Sequence, residues 1–246
     1  MSALAAQSRA EVRMTLRRGE SLLLTVGIPV GLLCFFSTVT VVGFGGARRV
    51  DFVTPGILSL CVLSTSMVSL GIATGFERGY GVLKRLYVTP LGRSRLLAAK
   101  GGGVLVVEVL QVAIVCVVAA LLGWHPHVTT VTVACAVAAC TVATVAFAGI
   151  GLGLAGRLRA EANLAAANGL YLVLLLTSGM VVPLARLPRG VAEVARLLPS
   201  AALTAALRGA LGHATVPSAA QWTVLCCWAA GAAAVAATTF RFDPPR

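Results

Sequence analysis

Six apolar stretches constrain the fold of this 246-residue chain more than any other feature of its sequence. Each has at least the roughly 20 residues that a helix needs to cross the hydrocarbon core of a bilayer. Together they contain one charged residue, Glu108. The stretches cover residues 22–42, 53–75, 101–122, 129–155, 164–185 and 218–240. We therefore predict an all-α, polytopic membrane protein, a single transmembrane domain over 1–246 with six transmembrane helices.

The composition argues against a soluble protein and against nucleic-acid binding. Hydrophobic residues make up 58% of the chain and charged residues only 11%, whereas soluble domains are about 25% charged. The net charge of +12 comes from basic residues that cluster between apolar stretches, without an aromatic or strand platform among them. Basic residues in that position meet anionic headgroups. Membrane lipid is therefore an expected partner, and nucleic acid is not.

The distribution of basic residues predicts how the chain is oriented. With the N-terminus inside, fourteen Lys and Arg residues lie in inner segments and six in outer segments. The positive-inside rule then favours a multi-pass protein whose N- and C-termini are both cytoplasmic. Four of the six outer arginines lie in the last connection, 186–217. That connection is too interrupted for a further span, so short re-entrant or amphipathic helices are predicted there.

The N-terminal segment 1–21 is predicted to form a helix that lies on the membrane surface. Arg9, Arg13 and Arg17 recur every four residues and would form one basic stripe, and Arg18 adjoins it. Such a stripe suits anionic headgroups. The alternative is a solvated basic tail.

Catalytic and cofactor motifs are absent from the sequence. A P-loop needs Gly-Lys-Ser/Thr, yet the two lysines, Lys84 and Lys100, follow Leu and Ala. The seven cysteines all lie in apolar stretches and show no CxxC or Cys/His spacing, which predicts neither a disulfide framework nor a metal site. The GIGLG run at 149–153 has no preceding strand, so close helix packing is the better interpretation of it. We expect no enzymatic activity and no cofactor bound by this chain.

Glu108 is the charged residue at predicted membrane depth, and Gln111 lies one turn further along the same helix. A carboxylate at that depth costs about 3 kcal/mol unless it is paired or hydrated. Two interpretations stay open. The residues could line a substrate or proton path, or Glu108 could be structural, either hydrogen-bonded to a Ser, Thr or Arg of a neighbouring helix or placed near the membrane interface eight residues past Lys100.

The connection 76–95, between the second and third stretches, is unusually charged and is broken by Thr89-Pro90. The sequence FERGYGVLKRLYVTPLGRSRLLAAK, residues 76–100, closely resembles the corresponding loop of ABC-2-type transporter permeases. The matching residues are Glu77, Arg78, Gly81, Leu83, Arg85, Leu86, Thr89, Pro90, Leu91, Arg93 and Lys100. Two later segments also resemble the family, TSGMVVPLARLP at 177–188 and LLPSAALTAALRGAL at 197–211. The resemblance thus extends over nearly the whole chain.

The resemblance implies a half-transporter without its own ATPase, from the bacterial drug and natural-product export branch. Two separate nucleotide-binding subunits would carry ATP and Mg, and a second permease, identical or homologous, would complete the pathway. Segment 76–95 would form the coupling helix, with Lys84 and Tyr87 joining the matching residues Glu77, Arg78, Gly81, Leu83, Arg85, Leu86, Thr89, Pro90 and Arg93. The outer gate would include Ser178, Gly179, Pro183, Pro188, Pro199 and Arg208. The alternatives are a lipid or polysaccharide exporter of the same superfamily and a non-transporting scaffold.

The apolar residues Leu83, Leu86 and Tyr87 lie three and four positions apart, so a short helix would present them on one face. We expect that face, with the charges of the same segment, to dock into the ATPase subunit. The alternative is a solvated basic loop that only orients the protein.

Overall fold

A computed structural model describes residues 19–38, 49–83, 92–180 and 183–240, with side chains defined except in 19–24 and 92–99. Within these ranges the protein is helical and contains no strand, which confirms the all-α prediction. The α-helices are α1 (Gly19–Thr38), α2 (Arg49–Leu63), α3 (Leu70–Gly79), α4 (Gly92–Leu121), α5 (Thr130–Ala155), α6 (Ala160–Thr177), α7 (Arg189–Arg196), α8 (Pro199–Gly212) and α9 (Ala219–Thr239). A π-helix, Ser64–Ser69, joins α2 to α3, and a 3-10 turn, Leu184–Arg186, precedes α7.

Five helical segments of the described chain are long and apolar enough to cross a membrane. They are Arg49–Gly79, Lys100–Leu121, Thr130–Ala155, Ala160–Thr177 and Ala219–Thr239. Helices α7 and α8 form a pair bent by 82°, which gives six candidates if the pair counts as one span. The described apolar part of α1, Thr25–Thr38, is shorter. These segments confirm a polytopic helical membrane protein.

The helix of the fifth predicted stretch ends earlier than expected. Helix α6 ends at Thr177, well before the predicted limit of 185. Gly179 adopts a φ of +74°, and the backbone N–H of Met180 donates to Ser178 Oγ at 3.1 Å. A positive φ suits glycine and turns the chain here. Because Gly and Ser are also common inside membrane helices, the apolar pattern alone did not reveal this turn.

Helix α5 packs against several other helices, and glycines on two of its faces allow close approach. A Cβ on Gly149 would lie 2.6 Å from the carbonyl carbon of Ala232 in α9. A Cβ on Gly151 would lie 2.5 Å from the carbonyl oxygen of Met67 in the π-helix. The packing interpretation of the glycine run at 149–153 is confirmed at Gly149. At Gly153 the nearest such atom is 4.0 Å away, so that glycine is not needed for close contact.

The π-helix Ser64–Ser69 interrupts the longest span in its middle. The hydroxyls of Ser64 and Ser66 donate to carbonyls three and four residues earlier. Thr65 Oγ1 instead reaches across to α4 and donates to Gln111 Oε1 at 2.7 Å. A π-helix widens the backbone, and such segments occur frequently at functional sites. Here it turns a hydroxyl towards a neighbouring span.

Candidate functional site

Arg78, in the last turn of α3, ties this helix to the connection between α5 and α6. Its side chain is almost fully buried, at 2% exposure, and Nη2 donates to the backbone carbonyl of Leu158 at 2.6 Å. Gly81 follows with a φ of +71° just beyond the end of the helix. The contact joins residues that are 80 positions apart in the chain. Arg78 therefore acts within the permease chain, and its placement differs from the predicted docking role.

Glu77, next to Arg78, forms an ion pair with Lys100 in α4. The Lys100 side chain is 2% exposed and the Glu77 side chain 25% exposed. The pair joins the start of the predicted coupling segment to a residue beyond its end, because Glu77 belongs to 76–95 and Lys100 follows it. Movement of that segment would consequently act on both α3 and α4.

Asn163 adds a third connection at this end of the bundle. Its Nδ2 donates to the carbonyl oxygen of Gly71 at 2.9 Å, and the residue is fully buried. Gly75 leaves the space for it, because a Cβ there would lie 2.5 Å from Asn163 Nδ2. Helices α3 and α6 are thereby held together. We call Glu77, Arg78, Lys100, Leu158 and Asn163 the charged junction.

Leu83 packs onto the permease itself. It is 1% exposed and belongs to a hydrophobic cluster with Leu70, Val104, Leu152, Ala236 and Phe240. The prediction that Leu83 shares a docking face with Leu86 and Tyr87 is therefore revised, since burial leaves it no surface for another subunit.

The remaining predicted residues of this region lie where the structure gives no side-chain description. Lys84, Arg85, Leu86, Tyr87, Thr89 and Pro90 fall outside the described residues, as do Arg9, Arg13, Arg17 and Arg18. Arg93 lies in α4, but its side chain is not described. Their roles stay predictions.

Glu108 and Gln111 are both buried and hydrogen-bonded to other helices. Thr144 Oγ1 of α5 donates to Glu108 Oε2 at 2.7 Å, and Gln111 Nε2 donates to the Thr25 carbonyl of α1 at 2.6 Å. Gln111 also accepts from Thr65. These bonds favour the structural interpretation, and the pathway role stays a prediction. Glu108 Oε1 is buried without a hydrogen-bond partner in the described chain.

A cleft with a mostly apolar lining that includes neutral polar side chains lies between α1, the π-helix and α6, and we call it the polar cleft. It has a volume of about 190 Å³. Its polar lining comes from Thr25, Ser64, Ser69, Asn168 and Tyr171, and its apolar lining from Ile28, Pro29 and Val68. Sequence reasoning missed this site. The hydroxyl and amide residues within apolar stretches were the available signal, but only the fold brings them together.

Arg208 organises the end of the bundle opposite the charged junction. Its Nη2 donates to the carbonyl of Gly179 at 3.0 Å, and its guanidinium carbon lies 3.8 Å from the centre of the Phe52 ring. Ser178 is buried and caps the same turn. Three of the predicted gate residues, Ser178, Gly179 and Arg208, are therefore brought together. A guanidinium over an aromatic face is a favourable arrangement.

The predicted gate prolines lie at separate places along the connection. Pro183 precedes the 3-10 turn, Pro188 precedes α7, and Pro199 is the first residue of α8. Proline suits the first position of a helix, because its missing N–H would have no partner there. Their positions explain where these short elements begin.

The fold and the charged junction define a polytopic helical membrane protein whose connection after α3 is tied into several spans. Comparison with known families then gives the class. A family model described as ABC-2 type transporter matches residues 3–211. The chain belongs to the ABC-2 type transporter family and is the permease component of an ABC transporter. A search of curated proteins finds no match.

Proposed function

We propose that this chain is the permease subunit of an ATP-driven exporter in the bacterial plasma membrane. It moves a lipophilic or amphipathic compound, such as a drug, antibiotic or natural product, out of the cell. Two copies of a separate nucleotide-binding subunit hold ATP and Mg, and this chain binds no cofactor. A second permease, identical or homologous, completes the pathway. The family match supports the permease assignment, whereas direction, passenger and stoichiometry are proposed here.

The charged junction is the observation that carries this proposal. Arg78 and Glu77 connect the start of segment 76–95 to the α5–α6 connection and to α4. Because these contacts are buried or nearly so, movement at the start of the segment would be passed on to these helices. Rigid-body motion of packed elements is how ATPase closure reaches a membrane domain. A loop that served only for orientation would not need these bonds.

The charged junction also supports an orientation of the protein in the membrane. The charged junction lies beside the most basic inner segment, and the positive-inside rule places such segments in the cytoplasm. Both termini are then cytoplasmic, and the end with Arg208 faces outwards. The N-terminal basic helix lies on the inner membrane surface in this proposal.

The polar cleft between α1, the π-helix and α6 is proposed to lie on the passenger's route. Hydroxyl, amide and phenol groups there would be poorly matched to lipid tails. Because its mostly apolar lining carries several neutral polar groups, the cleft suits an amphipathic molecule that can accept or donate hydrogen bonds. Gln111 is proposed to influence the route through its hydrogen bonds with Thr25 and Thr65, and Glu108, one turn earlier on the same helix, is proposed to contribute to the pathway.

Docking of segment 76–95 onto the ATPase subunit can be tested with substitutions of Leu86 and Leu83, for which we expect different effects. Leu86→Asp places a charge on the proposed docking face, and acidic residues change membrane orientation little. We expect normal membrane yield but at least a severalfold loss of ATPase copurification. Leu83→Asp should instead lower membrane yield, because Leu83 is buried in the permease. Leu86→Met is the matched control and should behave as wild type.

The decisive outcome is the behaviour of Leu86→Asp. Full copurification together with full ATP-driven transport in that variant would leave segment 76–95 as an orientation signal only.

A further inference from the structure

Helix α7, in the connection before the last span, carries three charged side chains within eight residues. Arg189, Glu193 and Arg196 are exposed, and the buried residues of this helix are Ala192 and Ala195. None of the three charged side chains makes a hydrogen bond or an ion pair with the described residues. The charges consequently face away from this protomer's own bundle.

A hydrogen bond to α9 shows how far the end of α7 lies from the end of the bundle. Trp228 Nε1 donates to the carbonyl of Leu197, which directly follows α7, at 2.8 Å. Trp228 is the tenth residue of α9, so at 1.5 Å per residue this contact lies about 13 Å along α9 from its first residue.

Helix α8 gives a second measure of the same depth. It runs from Pro199 to Gly212, and near its end the carbonyl of Leu211 accepts from the backbone N–H of His127 in the α4–α5 connection. That connection lies at the end of the bundle opposite the charged junction. Fourteen helical residues span about 20 Å. The start of α8, and with it the end of α7, therefore lies about 13 to 20 Å below that end, close to the bilayer midplane.

Exposed charges at this depth are incompatible with lipid on that face. Insertion scales place the cost of a central Arg at about 2.5–3.5 kcal/mol, and charged residues inside membranes usually face a water-filled cavity. The 82° bend between α7 and α8 lays α7 across the bundle at that level. Water would provide the solvation that these charges need, and its shortest route is from the end of the bundle where Leu211 and His127 meet.

The surroundings of α7 also have a net positive charge. The connection 183–217 contains Arg186, Arg189, Arg196 and Arg208, with Glu193 as its one acidic residue. The guanidinium of Arg208 is already engaged in a hydrogen bond to Gly179 and a contact with the Phe52 ring. On α7 itself, Val191 and Val194 are exposed beside the arginines, at 43% and 62%. One short helix thus presents cationic groups together with apolar groups.

We propose that α7 lines a water-filled vestibule open to the outside, and that its arginines attract the anionic headgroup of an amphipathic passenger. The passenger part of this proposal rests on the proposed export function. A carboxylate or phosphate headgroup would meet Arg189 or Arg196, and the apolar tail would contact the valines. The outer arginines, which run against the positive-inside bias, then have a role other than orientation.

Thiol labelling from outside the cell tests both the vestibule and its preference for anions. The experiment requires neither an ATPase nor a known passenger. Val194→Cys is introduced into a parent chain in which Cys226 and Cys227, the exposed thiols of the described chain, are replaced by Ala. Methanethiosulfonates with a sulfonate or a trimethylammonium group, both membrane-impermeant, are added to whole cells. His125→Cys, at an exposed position near the outer end, is the matched control.

We expect Val194→Cys to react with both reagents. Its ratio of anionic to cationic reaction rates should be higher than that of His125→Cys. Adding Arg196→Gln should lower the ratio of anionic to cationic rates at position 194 by about threefold, since a local potential acts oppositely on the two reagents. The same substitution should leave the ratio at position 125 unchanged.

Either half of the proposal can fail separately. No reaction at position 194, repeated at Val191→Cys, while position 125 reacts would show that α7 is covered by lipid or protein and would overturn the vestibule. Reaction with equal ratios at 194 and 125 would overturn the anionic preference. Because labelling requires neither ATP nor a partner subunit, both results are distinguishable from a failure of the transport proposal.

Discussion

Gly151 is the glycine of α5 whose missing Cβ would lie closest to an atom of a neighbouring element. Its missing Cβ would lie 2.5 Å from the Met67 carbonyl oxygen, and a backbone atom cannot rotate away as a side chain can. Gly71 of α3 approaches the same glycine from the neighbouring helix. Small residues at such crossings let membrane helices pack at short distance. The contact of α5 with the long second span therefore depends on this position.

We predict that Gly151→Ala destabilises the permease by about 1–3 kcal/mol, the usual cost of overpacking. Thermal unfolding of the purified protein in detergent, followed by intrinsic fluorescence, should show a lowered midpoint. Gly153→Ala is the control, since its nearest contact would be 4.0 Å away, and it should unfold as wild type. Equal midpoints for the two variants would contradict the assignment of Gly151 to the close crossing.

Individual residue roles were the hardest features to predict from the sequence. The charged segment was recognised, but Arg78 and Leu83 were expected to face another subunit, and both are buried. The reason is that Arg78 bonds to Leu158, 80 positions away, and the packing partners of Leu83 come from several helices. A local pattern of charge and spacing contains no information about such distant partners.

At the scale of elements, the helices themselves were largely predictable. Apolar stretches of membrane-spanning length identified α5 and α9 almost to the residue, because a span must satisfy its backbone groups internally as a helix. The π-helix was not predicted, since its sequence STSMVS carries no local signal that separates it from α-helix. Its Thr65–Gln111 bond is a tertiary contact that becomes visible only in the fold.

The ion pair between α3 and α4 gives a prediction at this scale. Glu77→Gln removes the carboxylate from a nearly buried Lys100, which should cost about 1–3 kcal/mol and loosen the two helix ends. We expect a lower unfolding midpoint and weaker coupling of ATP hydrolysis to transport. The double exchange Glu77→Lys with Lys100→Glu restores an ion pair and should recover much of both. No recovery in the double variant would argue that each residue acts separately.

At the scale of the whole molecule, the account requires the charged junction and the Arg208 end to lie on opposite sides of the membrane. Pro90→Cys should react with a membrane-impermeant thiol reagent only after the cytoplasmic face is exposed in inverted vesicles. His125→Cys should react in intact cells. Labelling of both positions from the same side would contradict the proposed topology, whatever the passenger is.

The central claim is that ATP hydrolysis in a separate subunit moves these spans through the charged junction. Its most direct test is the reactivity of Tyr171→Cys, in the polar cleft, towards a thiol reagent in the purified permease–ATPase complex. We predict that trapping with ATP and vanadate changes the labelling rate severalfold, and that adding Glu77→Gln reduces this change while ATP is still hydrolysed. An unchanged rate in a complex that binds and hydrolyses ATP would contradict the account.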